Sequence, residues 1–130
     1  MMSNIPADLQ FARSHEWVRR SGDGSAEIGI SDHAQQALGD LVFVELPEVG
    51  RVLAAGESCA VVESVKAASD VYTPLAGTVL AVNEQLRHTP ELINREPYGG
   101  GWLLRLRLRS SDTDTGLLSA ADYGALTAEG

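Results

Sequence analysis

Positive charge is scarce in this chain: ten basic side chains face eighteen acidic ones, for a formal charge of −8. Such a balance repels phosphate backbones and anionic lipid, so neither nucleic acid nor a membrane surface is an expected partner. A docking protein is expected to present a basic face. Cysteine occurs once, as Cys59, which excludes an intrachain disulfide framework and gives no sign of an oxidising compartment. Its place before Ala60-Val61-Val62 suits a small buried hydrophobe better than a reactive thiol. The longest apolar runs are strand-sized, and none approaches the roughly 20 residues that span a bilayer. Met1-Met2-Ser3-Asn4-Ile5-Pro6-Ala7-Asp8 lacks the basic start and apolar stretch of a secretory signal and the arginines of a transit peptide, so the cytoplasm is the expected compartment.

Enzyme chemistry is equally thin. His15, His33 and His88 lack the short-range Cys or His spacing of a zinc site, and are read as separate surface or structural residues with no metal. Asp112-Thr113-Asp114-Thr115-Gly116 imitates the opening of a calcium loop. The template's midpoint glycine and closing glutamate are replaced by Leu117 and Tyr123. Gly99-Gly100-Gly101 precedes a strand rather than a helix, so it reads as a turn and not a phosphate cradle. No Gly-x-Ser-x-Gly elbow occurs. A non-catalytic protein is expected.

What remains is a chain of short β segments. At 130 residues, with 44% hydrophobic and 22% charged residues, there is material for one core and one domain spanning 1–130. Leu9-Gln10-Phe11-Ala12, Trp17-Val18-Arg19-Arg20 and Ala26-Glu27-Ile28-Gly29-Ile30 read as an antiparallel opening broken by Gly22 to Gly24. Ser31 caps a predicted helix over Asp32 to Leu38, and Gly39 supplies the left-handed position that ends it. Leu41 to Leu46, apolar on both faces apart from Glu45, predicts a central strand that stops at Pro47.

Similar short strands, Arg51-Val52-Leu53 and Thr78 to Val82, flank a central hairpin and suggest two packed sheets related by an approximate twofold. Thr89-Pro90 opens a short helical turn through Asn94. Trp102, Leu104, Leu106 and Leu108 alternate with Arg105, Arg107 and Arg109, which predicts a strand with Trp102 and the leucines on its core face. A helical segment closes the chain within 111–130, with Leu117-Leu118 read as helical and Ser119 as the cap of Ala120 to Leu126. The fold class is mainly β with short helices.

The stretch Ala60 to Pro74 sets two Val-rich runs around Lys66 and its small followers Ala67 and Ala68, which reads as a hairpin with Lys66 at its tip. Glu63-Ser64-Val65-Lys66-Ala67 resembles the lipoyl-attachment site of glycine cleavage system H proteins. Four further collinear pieces resemble the same family: Ser14 to Val18, Gly29 to Gln35, Leu38 to Pro47, and Leu92-Ile93-Asn94 with Pro97-Tyr98-Gly99 and Gly101-Trp102. Biotinyl domains set methionine beside their lysine, where Val65 and Ala67 stand here. Lipoyl domains of 2-oxo acid dehydrogenases usually carry Asp before the lysine and leave Ser14-His15-Glu16-Trp17 unexplained.

The resemblance implies a two-sheet barrel-sandwich hybrid with peripheral and C-terminal helices, and lipoic acid joined by an amide to Lys66. It implies a carrier that takes an aminomethyl group from a pyridoxal-phosphate glycine decarboxylase to an aminomethyltransferase. A dihydrolipoyl dehydrogenase then reoxidises the arm, and a lipoate-attaching enzyme is the remaining partner. It also implies that the loaded arm rests in a cleft to which Ser14, Glu16 and Asp70 contribute. The alternative implied role is a lipoate relay to other proteins. A monomer is expected, and a mitochondrial matrix location if the chain is a mature eukaryotic form.

Overall fold

The structure, a computed structural model, describes residues 5–109 and 117–128. Two turn-linked hairpins begin it: β1 (Gln10–Phe11), β2 (Glu16–Arg20) and β3 (Ser25–Ile30) pair antiparallel in sequence order. Helix α1 (Asp32–Leu38) follows, with the Ser31 Oγ accepting the Ala34 N–H at 3.1 Å. Next come β4 (Leu41–Glu45), β5 (Val52–Leu53), β6 (Ser58–Ser64), β7 (Ala68–Tyr72) and β8 (Gly77–Val82). A 3-10 turn at Glu84–Arg87, helix α2 (Leu92–Arg95), β9 (Leu104–Leu108), β10 (Leu118–Ser119) and helix α3 (Ala120–Ala128) complete the order.

The strands form a seven-stranded sheet in the order β10-β1-β2-β3-β9-β8-β5 and a three-stranded sheet in the order β4-β6-β7. The main core lies between them: Val18, Ile28, Val79, Leu104 and Leu106 of the larger sheet meet Val44, Cys59, Val62 and Val71 of the smaller. The two flanking segments that look alike in sequence, β5 and β8, pair with each other inside the larger sheet. A second cluster of Leu9, Phe11, Trp17 and Tyr123 fastens α3 to the opening strands, with the Phe11 and Tyr123 rings stacked 4.4 Å apart. Trp17 fits because its strand partner is Gly29, where a Cβ would lie 2.6 Å from the indole.

Four sequence readings need correction. The run from Leu41 is an edge strand, not a central one, and leaves Val42 and Phe43 half exposed. A register shift between Leu41 and Phe43 breaks the alternation, so Leu41 and Val44 are the residues that turn inward. Trp102 lies outside β9 and is only partly buried, with the Arg105 guanidinium 4.7 Å over its ring, while Leu103 and Leu104 are both fully buried. Leu118 is a strand residue, because β1 has an open edge that Leu118 and Ser119 satisfy. The helix starts at Ala120, and the Ser119 hydroxyl does cap it through Asp122 N–H. Gly39 has the expected positive φ of 84°, but its ψ of −160° is extended rather than left-handed helical. The imitation calcium loop Asp112 to Gly116 lies outside the described residues.

Candidate functional site

Strands β6 and β7 pair as far as Glu63 and Ala68, and the three residues between Ser64 and Ala68 form the hairpin tip. Ser64 ties this turn together. Its N–H donates to Ala67 O at 2.7 Å, while its Oγ accepts the N–H groups of Lys66 and Ala67 at 3.3 and 3.1 Å. The side chain thus does locally what an Asx- or ST-type turn does, giving the backbone partners where the ladder ends. From outside the hairpin, Asp40 O accepts the Val65 N–H at 3.2 Å. The stem of Lys66 passes over Gly39, where a Cβ would stand 3.5 Å from Cε.

Lys66 is exposed, and among the described residues no carboxylate forms an ion pair with it. It is also the only lysine in the chain, every other basic side chain being arginine. That uniqueness is written in the sequence and is hidden when lysine and arginine are counted together as positive charge. Among side chains, only lysine offers a primary amine that a carboxyl group can acylate in an ordinary amide. Val65, 73% exposed, with Val42 and Phe43 on the neighbouring strand, adds apolar surface to the tip.

The structure joins Ser14 to Glu16 by a hydrogen bond, while Asp70 bonds to a different partner. The Ser14 hydroxyl donates to Glu16 Oε1, and Glu16 Oε2 accepts the Tyr72 N–H at 3.0 Å, which joins β2 to β7. Glu16 is 2% exposed. Burial raises its pKa above the ordinary carboxylate value, against the opposing pull of the Ser14 and Tyr72 hydrogen bonds. Asp70, exposed on β7, instead accepts the Ser58 hydroxyl at 3.2 Å. The Cys59 thiol is buried, donates to Val71 O at 3.3 Å, and has its pKa pushed up to about 12 by desolvation, so its role is packing.

Two histidines read as separate turn out to be neighbours. The His15 and His33 rings lie 4.8 Å apart, and His15 Nδ1 is 2.7 Å from the Tyr123 hydroxyl, itself 2.6 Å from Ser31 Oγ. Nothing in local spacing announces this, since the partners come from the turn before β2, from α1 and from α3.

Two antiparallel sheets that lift one exposed amine on a hairpin tip define a carrier-type domain. The glycine cleavage H-protein family model matches residues 9–130. A glycine cleavage system H protein of Pseudoalteromonas atlantica is 57% identical, the match covering 94% of this chain and 95% of that one. Glycine cleavage system H protein 2 of Pseudomonas putida is 59% identical over 98% of this chain and all of its own. The crystal structure of the Mycobacterium marinum H protein superposes with a TM-score of 0.87 at 40% identity, covering 95% of this chain and 99% of that chain. The chain belongs to the glycine cleavage H-protein family.

Proposed function

We propose that this chain is the lipoyl carrier of glycine cleavage and that Lys66 is its attachment point. The observation that carries the reading is that the only lysine stands exposed at the tip of a hairpin, with no ion-pair partner among the described residues. The residues fit such a group. The amine is open to an attaching enzyme, its followers Ala67 and Ala68 are small, and Ser64 fixes the turn through the backbone N–H groups of Lys66 and Ala67 rather than through the lysine side chain. Amide formation requires the Lys66 ammonium to surrender a proton. The freed lone pair attacks an activated carboxyl carbon, the activating group departs with its electron pair, and a second proton leaves the nitrogen.

When bound, a lipoyl group supplies a redox-active dithiolane that carries a one-carbon unit between enzymes. The chain itself tethers and presents that group, raising its effective concentration at each docked partner without catalysing a step. The partners are a glycine decarboxylase, an aminomethyltransferase, a dihydrolipoyl dehydrogenase and the lipoate-attaching enzyme, each meeting an acidic carrier with a basic face. The carrier acts as a monomeric single domain, and its bacterial relatives support a cytoplasmic location.

Ser14, Glu16 and Asp70 receive the loaded arm in this reading. Its support is the bond between Ser14 and Glu16 and the link from Glu16 to β7 at Tyr72, two residues beyond Asp70. Glu16→Gln should then speed formaldehyde release from the loaded carrier, and a rate equal to the parent's would remove Glu16 from that role. For attachment itself, the test is incubation with a purified lipoate–protein ligase, lipoate and ATP, followed by intact mass and peptide mapping. One lipoyl increment on the Lys66 peptide is expected. An increment elsewhere, or none, would overturn the assignment.

A further inference from the structure

The hairpin tip does not hold itself in place alone. Among the described residues, its one backbone anchor outside β6 and β7 is Asp40 O, which accepts the Val65 N–H, and the Lys66 stem rests on Gly39. Residues 39–41 therefore form the bed on which the lysine lies. Gly39, at φ 84° and ψ −160°, adopts a backbone conformation open almost only to glycine, so the loop follows a particular course that side-chain bonds can fix.

Asn94, on the short helix α2, does so with its whole side chain. Its amide nitrogen donates to Gly39 O and to Gln35 Oε1, and its Oδ1 accepts the Leu41 N–H, all three bonds at 2.9 Å. One planar amide thus brackets the loop on both sides of Asp40 and ties it to the end of α1. Gln35 is itself held, donating to Asp32 Oδ1 at 2.6 Å while its backbone carbonyl accepts the Gly39 N–H at 3.0 Å. The neighbouring Ile93 is fully buried in the main core, so the amide is mounted on a fixed support. No other described side chain donates to or accepts from the backbone of residues 39–41.

We propose that Asn94 is a positioning residue for acylation of Lys66: it fixes the 39–41 loop, and through Asp40 O and Gly39 that loop sets the height and direction of the lysine tip. The inference rests on the assignment of Lys66 as the attachment point. An attaching enzyme must take up one particular lysine in one geometry. A tip that wanders reduces the fraction of carrier molecules ready to be bound, and the apparent affinity falls by that fraction.

Three variants test it: Asn94→Ala removes all three bonds, Asn94→Asp keeps only the acceptor for Leu41 N–H, and Ile93→Val truncates the core on the same helix without touching the loop. Each is acylated with a purified lipoate–protein ligase, lipoate and ATP over a range of carrier concentrations. Asn94→Ala should raise the KM for carrier by about tenfold with kcat little changed, and Asn94→Asp should fall between it and the parent. Ile93→Val should keep the parent's KM even where its melting temperature falls as far. Amide exchange of Val65, measured against Val62 in the adjoining strand β6, should quicken in the two Asn94 variants alone.

Equal KM values in the parent and Asn94→Ala, or the same KM rise in Ile93→Val, would overturn the positioning role while leaving Lys66 as the attachment point. A parent protein that gains no increment on Lys66 would overturn that assignment and the positioning role with it. Val65 exchange that is unchanged in Asn94→Ala would by itself refute the link from Asn94 to the tip.

Discussion

The hairpin tip and the pocket around Tyr123 use polar groups in opposite ways. At the tip, Ser64 and Asp40 O bond to backbone, Asn94 bonds to backbone and to the Gln35 side chain, and among the described residues the Lys66 side chain is left without an ion-pair partner. Around Tyr123 every polar atom named is engaged: the phenol bridges His15 and Ser31, and Ser31 in turn caps α1. The first region is built to present a group, the second to lock α3 and α1 onto the opening strands. Polar density alone therefore does not distinguish a working site from a structural one; which atoms are left over does.

Four measurements sharpen that contrast, beginning with the largest effect. Lys66→Arg should abolish acylation altogether, because no second lysine exists to substitute, and it should move stability by no more than about 0.5 kcal/mol. Intact mass and a denaturant titration of the same sample give both answers. Trp17→Ala, in the locked region, should instead cost about 3–5 kcal/mol, since the buried indole fills the space beside Gly29 and donates to Pro97 O. Trp102→Ala should cost about 1–2 kcal/mol, the ring being partly exposed and stacked under Arg105. Matching losses would mean that the second cluster does not depend on Trp17.

A smaller change is expected of Tyr123→Phe, which keeps the ring against Phe11 and strips the hydroxyl from His15 and Ser31. About 1–3 kcal/mol should be lost in denaturant titrations, and acylation of Lys66 should proceed at the parent's rate. A slowed acylation would show that the two regions are coupled.

The smallest expected effect is in pH dependence. Burial, and then the charge of His33, lower the His15 pKa below 6.5, so the neutral ring suits the fold. Its contribution is present above pH 6.5 and is lost as pH falls through the lowered value. Glu16 has the opposite sign: its burial-raised pKa gives a contribution complete below 4.5 that is lost as pH rises through the raised value. Thermal unfolding from pH 7 to 4 should show a loss below pH 6.5 that vanishes in His15→Asn, a residue that tolerates the φ of 79° at that position. Across the same range the parent should gain on Glu16→Gln as the medium becomes more acid. A parent that tracks both variants at every pH would remove these groups from the balance.

Much of the local structure was readable from residues alone. Ser31, Asp32 and Gly39 mark both ends of α1, and the observed helix keeps those ends. The Lys66 hairpin follows from Val-rich arms around small residues, and the likeness to H proteins supplies the proposal for what such a lysine carries. The misreadings have separate causes. Trp102 to Leu108 was assigned by periodicity, which assumes an unbroken strand, and an irregular start before Leu104 shifts the phase. Leu41 to Leu46 was read as central because it is apolar on both faces, but it pairs only with β6, and a bulge at Leu41 to Phe43 leaves Val42 and Phe43 half exposed. Leu118 was read by its neighbours, whereas the open edge of β1 decided its state.

By itself the sequence determined the cap and length of α1, the lysine hairpin and the lack of any rival lysine, because these rest on contacts or identities within a few residues. Only the tertiary structure decided that Asn94 brackets the Gly39 loop, that His15 meets His33 and Tyr123, and that Glu16 lies buried against β7. Each of those depends on hydrogen bonds or ring contacts between distant segments. Their geometry exists only once the two sheets have closed on their shared core, and no propensity or spacing along the chain encodes which distant partner a polar side chain will find.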